Sequence, residues 1–180
     1  MTLTSRIKTA DELAAIIDAD KKAGKTVVTT NGVYDFLHAG HVEYLEEARA
    51  LGDRLIVILN TDASVHRIKG PARPINAEQD RALVMAALRC VDYVTFMEED
   101  DPRAILDKLK PSIHAKGGDY DIEKMPETAI VRKNGGEVKM LMLKAGYSNT
   151  IQYKRILAAT EQEQGFERPA WLTAAQKDKS

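Results

Sequence analysis

What most constrains this chain is an alternation. Five short runs of β-branched and aliphatic residues are separated by longer segments whose apolar residues recur at helical spacing. The runs are KTVVTT (25–30), LIVIL (55–59), VDYVTF (91–96), a short one at 112–115, and VKMLML (138–143). Such runs are apolar on consecutive residues, as expected for strands covered on both faces. Between them, Thr9 opens a helical segment carrying Leu13, Ile16 and Ile17, and residues 39–51 place Val42, Leu45 and Ala48 on one face before Gly52. A polar loop is expected over 60–74. A helix then starts at Asn76, with Gln79 as capping-box partner. Further helices are expected over 101–109, over 129–133 with Gly135-Gly136 ending it, and from Ser148 to about residue 160.

Strands alternating with helices predict βαβ units around a parallel sheet. The expected fold is α/β, a Rossmann-like three-layer sandwich with a parallel five-stranded sheet. Such sheets bind ligands beyond the carboxyl ends of their strands. The chemically distinctive sequence falls there: TTNGVYDFLHAGH after the first strand, NTDA after the second, KGGDY after the fourth and GYSNT after the fifth.

Bulk properties narrow the class. A chain of 180 residues is long enough for one domain with a sizeable core, and its formal net charge of -1 gives no polyelectrolyte reason to expect nucleic acid or an anionic membrane. Cys90 is the sole cysteine, so no intrachain disulfide can form, which fits a reducing, cytoplasmic setting. The first residues lack the apolar stretch of a secretory signal, and no apolar run approaches the roughly 20 residues that span a bilayer. One domain is expected over 1–160. Residues 161–180 are read as a C-terminal extension, which Trp171 and Leu172 could dock on the body or on a second subunit.

His38 and His41 are the first candidates for chemistry. Three readings are open: two metal ligands, a capped and packed helix start, or two donors aimed at phosphate. Two histidines without a Cys or Glu cluster leave a metal site incomplete. The turn before them is neither GxGxxG nor GxxxxGK[ST], yet a helix start still offers free N–H groups and partial positive charge to an anion. Lys69 and Arg73, in RIKGPARP, suit neutralisation of a triphosphate, or else a solvated loop. Arg81, early in a helix where the dipole opposes it, either serves a ligand or is simply exposed. Gly117 and Gly118 allow close backbone approach to a flat ligand, or form a plain turn. Ser148 and Thr150 either cap the last helix or bind phosphate. His66 is read as solvated, His114 as structural, and Cys90 as a buried thiol without a nucleophilic role.

With those residues in view, NGVYDFLHAGH resembles the HxGH signature of the cytidylyltransferase-like nucleotidyltransferases. The resemblance continues through GDRLIVILNTDASVHRIKG, ARPINAEQDRALVMAAL, VDYVTF and KGGDY, and covers about residues 26–156. In this order the segments are most similar to the D-glycero-β-D-manno-heptose 1-phosphate adenylyltransferases. NTDASV and KGGDY favour that branch over glycerol-phosphate cytidylyltransferases, which carry a GDDW-like sequence at the second place. The resemblance implies transfer of AMP from ATP to a sugar 1-phosphate with release of pyrophosphate, assistance by Mg2+, and a homodimer. It implies that His38, His41 and Lys69 are catalytic. Thr30, Asn31, Gly32, Val33, Tyr34, Gly117, Gly118, Asp119, Ser148 and Thr150 would bind nucleotide; beside what the resemblance implies, Gly40 is read as nucleotide-binding, and Arg73 and Arg81 as binding substrate phosphate. It identifies no metal ligand. Rival readings are a CTP-dependent transferase acting on a polyol or alkyl phosphate, and a nucleotide sensor without catalysis. One departure stands out: Asn149 lies between Ser148 and Thr150, where the family usually has Thr.

Overall fold

The computed structural model describes residues 2–119, 121–142 and 146–162. Their contacts separate residues up to Tyr147 from a second unit that begins at Ser148. The first unit is built on five parallel strands: β1 (Val27–Gly32), β2 (Arg54–Asn60), β3 (Tyr93–Met97), β4 (Ile113–Gly117) and β5 (Glu137–Leu141). Their order is β3-β2-β1-β4-β5. The chain builds outward from β1 to β3, then returns to the other side of β1, so strand order reverses between β1 and β4.

The expected α/β sandwich is therefore the fold, and its physical basis is clearest in β2. Leu55, Val57 and Leu59 face one core with Val28, Leu45, Met85 and Val94. Ile56 and Ile58 face another with Leu13, Ile17, Leu106, Leu109 and Val131. These five side chains of β2 are fully buried, each contributing about 1.5–3 kcal/mol of transfer free energy. A strand covered on both faces needs apolar residues at every position, which is why LIVIL has no polar alternation. The first core lies against α2 (Ala39–Ala50) and α4 (Glu78–Ala86), the second against α1 (Ala10–Lys22), α5 (Arg103–Leu109) and α6 (Pro126–Lys133).

Helix ends follow local chemistry where it is available. Thr9 forms a full capping box with Glu12 at the start of α1. Two expectations need correction. Residues 60–74 are not all loop: α3 (Asp62–Lys69) occupies most of them, capped by Thr61, whose side chain accepts from Ser64 N–H. The buried residues of α3, Ser64 and Val65, are adjacent rather than spread over two turns, so periodicity gave no signal. Nor does Asn76 cap α4. The cap position is Ala77, whose methyl side chain has no acceptor to offer, while the Asn76 side chain turns to Asp35, donating from Nδ2 to its carbonyl.

The second unit comprises α7 (Asn149–Gln162). Ser148 Oγ accepts from Ile151 N–H at 3.1 Å, the geometry of a helix cap. Trp171 and Leu172 lie outside the described residues. Among those described, no helix is long and apolar enough to cross a membrane.

Candidate active site

β1 ends in a loop that turns into α2, and the two histidines sit at the turn. His38 is the N-cap residue of α2, with extended backbone, and its Nδ1 accepts from His41 N–H at 3.2 Å. The two rings stack with centroids 3.7 Å apart and planes 12° from parallel. The cap fixes a tautomer. An Nδ1 that accepts carries no proton, so in the neutral ring the proton is on Nε2. Among the described residues that Nε2–H is buried with no hydrogen-bond partner, and so is Nδ1 of His41. Buried polar groups are nearly always paired. Two orphan ring nitrogens at one helix start are therefore poised for a bound group.

Burial lowers the pKa of both rings. In His41 it falls to about 4, through burial first and then proximity to His38, against a backbone hydrogen bond at Phe36. In His38 burial lowers it against a smaller backbone effect. Face-to-face stacking is compatible with this state, since two imidazolium rings so close would repel.

The floor of the turn is built by aromatic and small residues. Tyr34, at φ 50°, is buried with its ring 5.0 Å from that of His41. A Cβ on Gly40 would lie 2.9 Å from Cβ of Tyr147 and 3.3 Å from Nδ1 of His38, so a larger residue there would displace Tyr147 and crowd His38. Below, Tyr44 donates to Ala115 C=O at 3.0 Å and is 2.7 Å from Thr30 Oγ1. With its one proton used on Ala115, the Tyr44 oxygen accepts from Thr30, and the chain ties β1, α2 and β4 together. Burial raises the Tyr44 phenol to about 12, so it stays protonated.

Asp35 is a residue that sequence reasoning missed. It is almost fully buried, accepts from Arg73 Nε and Ile75 N–H at 3.0 Å and from Asn76 N–H at 2.9 Å, and its carbonyl accepts from Asn76 Nδ2 at 2.6 Å. It clasps the segment after Lys69 to the histidine turn. Its one sequence signal is an aspartate inside an apolar stretch, which is costly to bury unless paired.

The remaining expected site residues divide. Arg81 is brought to the turn but is occupied there: it donates to Val33, Asn60 and Asn76 carbonyls at 2.7, 2.8 and 3.0 Å and pairs with Asp62 at 2.7 Å. Its side chain is fully buried, so its guanidinium braces the turn from beneath. Arg73 reaches the turn through Asp35. Lys69 is exposed at the end of α3, where Gly70 follows at φ 93°. Thr30 uses its hydroxyl on Tyr44, while Asn31 accepts from Lys116 Nζ at 3.0 Å. Gly32 is close-packed under the Tyr34 ring, which would be 2.8 Å from an added Cβ. Gly117 ends β4, Gly118 donates to Leu141 C=O at 3.1 Å, and Asp119 is exposed. Ser148 and Thr150 belong to the second unit. As read from sequence, His66 is exposed and His114 is fully buried. Cys90 is half-buried, less covered than expected, and burial raises its thiol pKa, which disfavours the thiolate. Among the described residues, no group of three or more His, Cys, Asp or Glu could hold a metal ion.

The buried histidines predict an acid dependence of stability. Unfolded, a histidine titrates near 6.5; folded, His41 titrates at about 4 and His114 at about 3. Between these values the unfolded chain binds more protons, so stability rises with pH there. Unfolding free energy should therefore decline as pH falls from about 6.5 towards about 4. Urea unfolding of wild type and of His66→Asn, whose ring is exposed, should show the same decline. A free energy constant over that window would contradict it.

A parallel sheet with reversed strand order, and a stacked imidazole pair at a helix start beside that reversal, make an anion site of the kind α/β nucleotidyltransferases use. The chain belongs to the Cytidylyltransferase-like family, whose profile matches residues 29–156. It is 50% identical over 153 residues to the Bifunctional protein HldE of Pelobacter propionicus, covering 85% of this chain and 31% of that protein. It is 46% identical over 158 residues to the protein of the same name from Syntrophotalea carbinolica, covering 88% of this chain and 32% of that one. The chain thus spans about a third of the length of the curated relatives it matches. Among solved structures, it is similar to a lipopolysaccharide core biosynthesis protein from Thermoplasma volcanium GSS1, with TM-score 0.56 and 32% identity, covering 67% of this chain and 98% of that one. A pantoate-beta-alanine ligase from Francisella tularensis, with TM-score 0.54 and 13% identity over 96% of this chain and 85% of that one, shares the fold.

Proposed function

We propose that this chain transfers AMP from ATP to a sugar 1-phosphate, D-glycero-D-manno-heptose 1-phosphate in the first instance, giving an ADP-sugar and pyrophosphate. The observation that carries this reading is the stacked histidine pair, each ring with a buried nitrogen that has no partner among the described residues. The similarity to bifunctional HldE proteins and to a lipopolysaccharide core biosynthesis protein supports the choice of sugar.

In this mechanism a phosphate oxygen of the acceptor attacks the α-phosphorus of ATP in line, and pyrophosphate leaves. The attacking oxygen is already ionised at neutral pH, so no general base is needed. The protein aligns the groups and stabilises the charge that develops. His38, through Nε2–H, and His41 face the phosphates at the α2 start, where the helix dipole adds to them. Lys69 supplies a mobile positive charge to the triphosphate. Residues 30–34, Gly40, Gly117, Gly118 and Asp119 are assigned to nucleotide binding, and Ser148 and Thr150, in the second unit, to phosphate. Arg81, and Arg73 with Asp35, act on substrate phosphate through the shape of the turn they brace. Mg2+ would enter with ATP as part of the substrate and would supply positive charge to the phosphates, with few ligands required of the protein. The nucleotidyltransferase domain is taken as 1–160 with an extension at 161–180, and the enzyme as a cytoplasmic homodimer.

The test is pyrophosphate release with ATP or CTP against heptose and hexose 1-phosphates, glycerol 3-phosphate and alkyl phosphates. Release is expected with ATP and a heptose 1-phosphate. A clear preference for CTP, or for a polyol phosphate, would replace this reading with a cytidylyltransferase. Nucleotide binding without release would point to a sensor.

A further inference from the structure

β1 and β4 pair over only two residues, Val28 with Ile113 and Thr29 with His114, although both strands continue beyond. The carboxyl ends therefore part at the point where strand order reverses. Residues two apart on a strand share a face. Asn31 and Lys116 thus follow Thr29 and His114 on the side of the second core. Thr30, one residue away, points to the α2 side and bonds Tyr44. The α2 start, which carries the histidine pair, and the Asn31–Lys116 pair therefore form two walls, on opposite faces of the sheet where β1 and β4 part.

The second wall has its own polar construction. Lys116 Nζ donates to Asn31 Oδ1 at 3.0 Å and pairs with Glu127 Oε1 at 2.7 Å. Glu127 lies in the first turn of α6 and is only 4% exposed. The contact with Lys116 settles the orientation of the Asn31 amide, because Oδ1 must face the ammonium. Its Nδ2 then points away from Lys116. Among the described residues, neither Nδ2 of Asn31 nor the third N–H of Lys116 has a partner. The charge of Lys116 is offset by its own buried carboxylate. A donor set of near-zero net charge is poorly matched to phosphate and well matched to uncharged oxygen. Lys69, with no such partner among the described residues, is the better phosphate group.

We propose that Lys116 and Asn31, held by Glu127, form a hydroxyl-recognition subsite for the sugar ring of one of the two substrates. The inference rests on the reading above that the substrates are a nucleotide and a sugar 1-phosphate, each of which carries such a ring. The chemistry is shared between the ribose of ATP and the sugar of the acceptor, and binding can separate them.

The experiment is calorimetric titration of the full chain with ATP, 2′-deoxy-ATP, 3′-deoxy-ATP, hexose and heptose 1-phosphates, and inorganic phosphate. Two variants are compared with wild type. The Lys116→Met/Glu127→Gln pair avoids leaving a lone buried carboxylate, and Asn31→Ala leaves the ion pair intact. If the ring is the ribose, wild type prefers ATP over a deoxy analogue by about tenfold or more, the worth of a hydrogen bond to a charged group, and both variants lose the preference. If the ring is the acceptor's, both variants weaken sugar 1-phosphate binding by about tenfold or more while inorganic phosphate affinity is unchanged. Folded variants with wild-type affinity for every ligand overturn the subsite. Wild type that changes hydroxyl discrimination on substitution, yet releases no pyrophosphate, would remove the adenylyltransferase reading and leave the subsite.

Discussion

His41→Ala is expected to lower kcat about 10²–10³-fold, the cost of losing one preorganised donor to developing charge. Fold stability should change little beyond the loss of ring packing against Tyr34 and His38. The same loss is expected for His38, with an added effect. His38→Ala also removes the acceptor for His41 N–H, and losing a helix cap costs about 0.5–2 kcal/mol. Comparison with His38→Asn separates the two roles. Asparagine is a good N-cap, so His38→Asn should keep thermal stability near wild type while turnover still collapses. If His38→Asn turned over like wild type, the ring would be a cap and nothing more. Steady-state constants decide a further point. A fall in kcat with little change in KM for ATP marks an interaction made mainly in the transition state. A rise in KM alone marks ordinary binding.

Asp35→Ala is expected to have the largest effect on folding. The carboxylate is almost fully buried and holds two backbone N–H groups as well as Arg73. Breaking a buried pair by removing one partner costs about 3–5 kcal/mol, and the partial exposure of Arg73 places the figure towards the lower end. Denaturant titration should show a lower midpoint with an unchanged slope. Asp35→Asn keeps an acceptor oxygen without the charge, and should lose less stability. Both substitutions should depress turnover, because they release the segment after Lys69 from the histidine turn. Wild-type stability in Asp35→Ala would mean that the clasp contributes nothing net.

Asp35 also marks where reading the sequence stopped. The strands and most helices were legible because their signals are local: consecutive apolar residues for β2, helical spacing for α1 and α2, and a capping box at Thr9. The place of the histidine pair was legible for the same reason, since a strand followed at once by a helix puts the intervening turn at the strand's carboxyl end. The Asp35 clasp joins residues 38 to 41 positions apart, Arg81 reaches Val33 across 48, and Lys116 meets Asn31 across 85. No local period encodes such pairs. Arg81 shows the consequence. In the sequence it was an early helix arginine available to a ligand, whereas in the fold its guanidinium is buried among Val33, Asn60, Asp62 and Asn76. Asn76 was misread in the same way: its local pattern suits a cap, but the helix starts one residue later and the Asn76 side chain donates to the distant Asp35 carbonyl.

The sequence by itself determined the layered α/β plan, the strands buried on both faces and the turn that carries His38 and His41, because hydrophobic burial and helix capping act between near neighbours. Tertiary structure alone decided which charged groups stay available to a ligand. It spent Arg81 and Asp35 on bracing the turn, left buried nitrogens of His38 and His41 without partners, and fixed the His38 proton on Nε2. The physical reason is that a polar side chain is assigned by whichever partner lies within about 3 Å when water is excluded. That distance is set by how the chain folds back on itself.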